Sequence, residues 1–219
     1  MLNKKEEYDK KYAEDNYFHY REWVYAPYIS SLVSYCHLKP GSLVLDVGCG
    51  QGLFSYLFCK CGMKVHGIDM SEIGIRTATT RYGKLGITFE ATDMNAAVFP
   101  TKFDGIFVRS CSLYNTDDFA QTDEVTDHLL AYLKKGGVLI FAYYTNLSGK
   151  TSPHWRYHSL RDVAKHFHNY SHTKIFFCNK IDTLVMRKWA FNSAITRINE
   201  FLSRNCGIGG DAICVLSSR

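Results

Sequence analysis

Between Pro40 and Tyr144 the chain alternates short apolar runs with segments of helical periodicity, and no other feature restricts its fold as strongly. Ser42–Val47 (SLVLDV), Lys64–Asp69, Ile87–Glu90, Phe103–Ser110 and Val138–Tyr144 read as strands. Between the first two, Gln51–Cys61 sets Leu53, Phe54, Leu57 and Phe58 on one helical face and stops at Gly62. A helix capped by Ser71 runs to about Tyr82. Asp117–Lys134 turns Phe119, Leu129, Leu130 and Leu133 inward and ends at Gly136-Gly137. Strands separated by helices of this length specify a parallel sheet wound with helices on both faces, with right-handed crossovers. The tail changes character. Leu160–His168 is a short helix, Lys174–Asp182 a strand, Trp189–Arg204 a helix and Ala212–Ser217 a last strand, a spacing that suits a hairpin-like closing pair.

Upstream of this pattern, Ile29, Leu32, Val33 and Cys36 mark an amphipathic helix over Pro27–His37, with its proline near the start. A dense aromatic stretch precedes it: Tyr8, Tyr12, Tyr17, Phe18, Tyr20, Trp23, Tyr25 and Tyr28. These rings either pack a helix across the sheet edge or form a lid over a ligand pocket; periodicity does not separate the two. The 219 residues are expected to form one domain, with 1–37 a helical cap and 38–219 the core.

Composition narrows the function classes. Hydrophobic residues make up 46% and charged residues 21%, which suits a folded globule. No apolar run reaches the ~18 residues of a membrane span. The N-terminus, MLNKKEEYDKKYAED, has no apolar core of a secretory signal, so a cytoplasmic setting is expected. The eight cysteines include no C-x-x-C pair, and several fall in apolar runs as small hydrophobes. The net charge of +5 is spread thinly, unlike the clustered basic surface of a nucleic-acid binder. His166, His168 and His172 have irregular spacing and no cysteine pair, so no metal is expected.

The most informative segment is Gly48-Cys49-Gly50-Gln51-Gly52, between the first strand and its helix. Such a turn brings backbone N–H groups and a helix start to a ligand. A dinucleotide fingerprint would place its third glycine at position 53, which is Leu53. Asp46 also lies two residues before the first glycine, where it would repel a pyrophosphate. S-adenosylmethionine (SAM) has no phosphate and carries an ammonium and a sulfonium, which a carboxylate stabilises. Asp69 ends the second strand, where an ionised carboxylate accepts both hydroxyls of a ribose. Asp93 follows the third strand, placed for an adenine amino group, with the Met94 N–H facing a ring nitrogen and Met70 packing on the ring.

The series VLDVGCGQG, HGIDMS, ATDM, FDGIFVRSCSL and LKKGGVLIF resembles the motifs of class I SAM-dependent methyltransferases, and is most similar to the small-molecule subgroup with a D-x-G-C-G-x-G first motif. That resemblance covers residues 40–144 well. It implies a three-layer, Rossmann-like α/β fold with a seven-stranded sheet of order 3-2-1-4-5-7-6, strand 7 antiparallel. It implies a SAM site built from Asp46, Gly48, Cys49, Gly50, Gly52, Asp69, Met70, Asp93 and Met94, with Arg109 and Ser110 on the methionine side and Tyr12 reaching in from the cap. The product would be S-adenosylhomocysteine (SAH). Candidate catalytic groups are His154, after the fifth strand, and Tyr114, after the fourth. Methyltransferases acting on adenine or glutamine amides carry N/D-P-P-Y/F after the fourth strand; here it reads Arg109-Ser110-Cys111-Ser112, which disfavours those substrates. A small-molecule acceptor and a monomer or homodimer are therefore expected. The alternatives are an RNA methyltransferase, a SAM-binding protein without methyl transfer, and a nucleotide-dependent oxidoreductase.

Overall fold

The computed structural model describes residues 4–116, 118–148, 155–170, 174–179, 191–206 and 210–217. Its strands are β1 (Leu43–Val47), β2 (Lys64–Asp69), β3 (Thr88–Ala91), β4 (Phe103–Arg109), β5 (Leu133–Tyr144), β6 (Lys174–Asn179) and β7 (Gly210–Ser217). They form one sheet in the order β3-β2-β1-β4-β5-β7-β6. β7 runs antiparallel to both β5 and β6, and the other pairs are parallel. The expected topology is therefore the observed one. β1 and β4 are buried along nearly their whole length, which is why they read as unbroken apolar runs.

The helices are α1 (Lys4–Tyr12), α2 (Glu22–Tyr35), α3 (Leu53–Lys60), α4 (Glu72–Tyr82), α5 (Phe119–Ala131), α6 (Leu160–His166) and α7 (Ser193–Cys206). Two apolar clusters fill the spaces on either side of the sheet. One joins Ile29 and Leu32 of α2 and Leu57 and Phe58 of α3 to Val44, Phe107, Ile140 and Ile213. The other joins Val125 and Leu129 of α5 and Val163 of α6 to Leu45, Ile106, Val108 and Leu139. The order of connection reverses between β1 and β4, so a crevice opens outside their carboxyl ends.

Several boundaries differ from expectation, each for a tertiary reason. α2 begins five residues before Pro27, which lies inside it. Val24 and Tyr25 extend the buried face, and the Tyr25 ring meets Phe54 edge-on at 5.2 Å. α2 is thus part of a core layer rather than a detachable cap. α1 was not foreseen: it is strongly polar and buries only Tyr12. β5 begins at Leu133, because Leu133 pairs with Phe103 before the register shifts and Gly136 takes φ +76°. α5 is capped by Asp118, whose Oδ1 accepts from the Ala120 and Gln121 N–H groups. Among the described residues no helix is long and apolar enough to cross a membrane.

Candidate active site

The turn after β1 is held by β2. Gly48 and Cys49 N–H both donate to the Ile68 carbonyl, at 2.8 and 2.9 Å. Gly50 N–H donates to Asp69 Oδ2 at 2.9 Å, and Ser71 N–H donates to Asp69 Oδ1 at 2.9 Å. Asp69 therefore clamps the glycine turn to the start of α4. Gly48 and Gly50 have φ of +73° and +53°, a region that β-carbons resist. Asp46 is 2% exposed, and Ser55 Oγ donates to its Oδ2 at 2.6 Å. Burial pushes Asp46 up to about 7, with the Ser55 hydroxyl opposing and the Asp69 charge adding. Burial likewise pushes Asp69 up to about 6, against the backbone donors from Ser71 and Gly50.

The N-terminal segment roofs this turn. The Tyr12 ring is buried against Gly50 so closely that a β-carbon there would come within 2.7 Å of the Tyr12 hydroxyl. Gln51 Nε2 donates to the Tyr12 and Glu14 carbonyls, at 3.1 and 2.9 Å. Asp9 accepts from Ser71 Oγ and from the Ile73 N–H. Ion pairs Lys5–Glu72, Asp15–Arg81 and Glu22–Lys60 stitch its rim to the core. Beyond Tyr12 the roof continues as ring contacts through Phe18 to Tyr20, with Tyr17 packed edge-on against Phe18.

The far wall is built on Arg109, at the end of β4 and 8% exposed. Its Nη1 donates to the Tyr20 hydroxyl at 2.9 Å, and its Nη2 pairs with Asp211 Oδ2 at 2.9 Å. Asp211 reaches this position because β7 pairs antiparallel with β5, setting Asp211 opposite Tyr144. Next to Arg109, Ser110 adopts φ +49°, an unfavourable region for a residue with a β-carbon and a common mark of functional sites.

Roof, turn and wall enclose a cavity of about 780 Å³ at the switch point of the sheet. Tyr12, Asp46, Gly48, Cys49, Gly50, Asp69, Met70, Asp93, Met94, Arg109 and Ser110 all line it. Two expectations need correction. Gly52, with φ +85°, is turned away from the cavity; a β-carbon there would meet Ala78 at 2.8 Å, so its role is to let α3 start against α4. Tyr114 is 1% exposed and bonded to Thr126 Oγ1 at 2.9 Å inside the core, so its hydroxyl is not on the cavity wall. His154 lies outside the described residues, as does His172. Nearby His158 is buried: its Nδ1 accepts from Arg156 Nε at 3.3 Å, which directs its Nε2–H to the Tyr114 carbonyl at 3.2 Å. Asp93 accepts from the Asn95 N–H at 3.0 Å and forms a tight turn at the cavity mouth. Sequence reasoning missed Asp211, whose partner lies 102 residues away, and the anchoring role of the Gln51 side chain, whose partners lie 39 and 37 residues away.

Residues 38–196 match the family model described as a methyltransferase domain. The chain belongs to that methyltransferase family. A phosphoethanolamine N-methyltransferase 1 of Zea mays is 35% identical over 120 residues, 53% of this chain and 23% of that protein. A ubiquinone biosynthesis O-methyltransferase of Azoarcus sp. (strain BH72) is 32% identical over 105 residues, 46% of this chain and 43% of the relative. The matched segment thus spans less than half the length of either curated relative. The N-methyltransferase NodS of Bradyrhizobium japonicum WM9, solved with SAH, superposes with a TM-score of 0.68 at 17% identity, over 99% of both chains. A Haemonchus contortus phosphoethanolamine N-methyltransferase 2 gives 0.70 at 16% identity, covering 100% of this chain and 60% of the other. At those identities the structural likeness speaks for the fold alone: this is the class I methyltransferase architecture.

Proposed function

We propose that this methyltransferase moves a methyl group from SAM to an oxygen, nitrogen or carbon nucleophile of a small molecule, releasing SAH. The observation that carries the reading is the pair of buried carboxylates, Asp46 and Asp69, flanking the glycine turn within one roofed cavity. The residues present fit the cofactor. Each Asp69 oxygen takes one backbone N–H, which leaves a lone pair on each for a ribose hydroxyl. Asp46 is costly as a buried anion, and a cationic ligand offsets that cost. The cavity lies within the range of ~300–1,000 Å³ typical of small-ligand sites. Bound SAM supplies a methyl carbon already attached to its sulfonium leaving group. The chain's own task is to hold that group in line with the acceptor and exclude water, which the aromatic roof favours. His154 is retained as the proton acceptor because it immediately precedes Trp155, a cavity-lining residue.

Thermal denaturation with and without SAH tests the reading. SAH is expected to raise the melting temperature by several degrees, and Asp69→Ala to abolish most of that rise. An undiminished shift in the variant would remove the ribose assignment.

A further inference from the structure

Lysines that are scattered along the sequence meet at one end of the sheet. β1 to β5 run parallel to one another, so their first residues share one edge, opposite the cavity. Across the neighbouring strands β3, β2, β1, β4 and β5 that edge carries Lys84, Lys64, Lys39, Lys102 and the pair Lys134-Lys135, in that order. Lys64 opens β2 opposite Leu43. Lys39 lies in a turn closed by the Ser42 N–H on its carbonyl at 2.9 Å, and the Gly41 N–H ties that turn to the Gly62 carbonyl at 2.7 Å. Lys134 and Lys135 stand out where the ladder shifts between the pairs Phe103–Leu133 and Gly105–Val138. All six lysines are exposed. Five strands about 4.8 Å apart make the row about 20 Å wide.

The charge of this edge is not balanced locally. In the segments 38–42, 60–64, 83–88, 98–104 and 131–138, which form it, Asp104 is the sole carboxylate. Lys134 pairs with Asp104 at 2.8 Å, and Lys60, at the end of α3, pairs with Glu22 of α2 at 2.7 Å. Of the carboxylates farther along the same elements, Glu90 faces His66 and Asp127 faces Tyr170. Lys39, Lys64, Lys84, Lys102 and Lys135 form no ion pair with another described residue. Like charges gathered in this way repel one another, and an anionic partner relieves that repulsion.

Two aliphatic side chains protrude among them. Leu85, next to Lys84, is 54% exposed, and Val98 is 83% exposed. Both are held at this end of the molecule. Cys59 Sγ, near the end of α3, meets the Leu85 carbonyl at 3.9 Å, and the Tyr132 hydroxyl, just before β5, donates to the Ala97 carbonyl at 3.4 Å.

The residue types favour a lipid surface over a nucleic acid. Nucleic-acid sites draw on arginine forks and on exposed rings that stack with bases. The five segments contain no arginine. Their rings, Phe99, Phe103 and Tyr132, pack edge-on around Phe99, at 5.3 and 5.0 Å, and none is exposed. Lysine instead acts as a point charge toward a diffuse anionic layer, and protruding aliphatic groups enter the boundary between headgroups and acyl chains.

We propose that the lysine edge, with Leu85 and Val98, docks this enzyme on an anionic lipid surface. The contact lies on the bilayer without spanning it, and the cavity, outside the opposite ends of the strands, faces away and stays open to a dissolved acceptor. Flotation of the full chain with vesicles tests this, using phosphatidylcholine alone or with about 30% phosphatidylserine. Binding is expected to the anionic vesicles alone, and to weaken at least about tenfold between roughly 0.1 and 0.5 M salt. Lys84→Gln combined with Lys102→Gln is expected to weaken it about 20–30-fold, at about fivefold per lysine. Leu85→Ser combined with Val98→Ser leaves the charge unchanged and is expected to weaken it roughly tenfold. Both double variants are expected to keep the parent's melting temperature, since each side chain is exposed. Equal binding to the two kinds of vesicle, or binding to neither, would overturn the proposal. So would an unchanged affinity in either double variant. Tighter binding of a single-stranded RNA of about 30 nucleotides than of the vesicles, at equal salt and equal phosphate, would assign the edge to nucleic acid instead and overturn it as well.

Discussion

At the scale of single residues, the site depends on carboxylates kept out of water. Asp46 is pushed up to about 7 and Asp69 to about 6, both mainly by burial. The raised values have a definite sign. An unfolded Asp releases its proton near pH ~3.9, whereas the folded chain still holds those protons up to pH 6–7. The native state binds more protons through that window, so stability without ligand falls as pH rises across it. Asp46→Asn removes one of the two groups, and it is expected to raise the pH 8 melting temperature and flatten this slope. SAM acts in the opposite sense, because its positive charge favours ionised Asp46. Its affinity is expected to drop roughly tenfold between about pH 7.5 and 6, with proton release on binding near neutral pH. Calorimetry in two buffers of different ionisation heat measures both; an affinity flat from about pH 5.5 to 8 would refute the assignment. The carboxylates influence each other, so the titration belongs to the pair. His154→Ala is expected to lower kcat by about 10²–10³ and leave SAH binding intact, as loss of a general base does. A kcat within threefold of the parent's in a steady-state assay would exclude that role.

At the scale of elements, the contrast between β1 and α1 shows what was legible in the chain. β1 is buried on both faces, so its LVLDV run carries its own signal, and Asp46 within that run could be placed from sequence. Asp69, at the end of the largely buried β2, followed by the same logic, whereas β3 is mostly exposed. α1 has no apolar stripe to read, since Tyr12 is its sole buried residue; its place is fixed by bonds to Gln51, Ser71 and Glu72, remote in the chain. For the same reason the Arg109–Asp211 pair was invisible, because it exists only once β7 returns beside β5. Gly52 was misread because a glycine needed for helix packing has the same letter as one needed for ligand approach. The exposed ion pairs at the rim of α1 contribute little and are screened by salt. The Gln51 bond to the Tyr12 carbonyl is partly buried and a better sheltered anchor. Gln51→Ala is expected to speed SAH release about 5–10-fold, with little change in stability, as measured by stopped-flow displacement. An unaltered release rate would mean that the segment does not hold the ligand in.

At the scale of the whole molecule, the N-terminal 37 residues divide into two parts with different physical roles. α2 contributes Val24, Ile29, Leu32 and Val33 to the cluster that covers one face of the sheet. Burying such side chains is worth about 1.5–3 kcal/mol each, so these four alone match the ~5–15 kcal/mol stability of a typical domain. α1 contributes one buried ring and a set of surface bonds, and its worth to the fold is correspondingly small. Its worth to the site is large, because Tyr12 and Gln51 close the roof over the glycine turn. Deleting residues 1–15 is therefore expected to leave a cooperative unfolding transition, lowered by only a few degrees, and to erase most of the stabilisation by SAH. Deleting residues 1–36 also strips α2 from the sheet, and it is expected to leave no cooperative transition at all. The two truncations, compared by calorimetry, separate a roof from a core layer. A shorter truncation that unfolds outright, or one that keeps the full response to SAH, would show that this division is wrong.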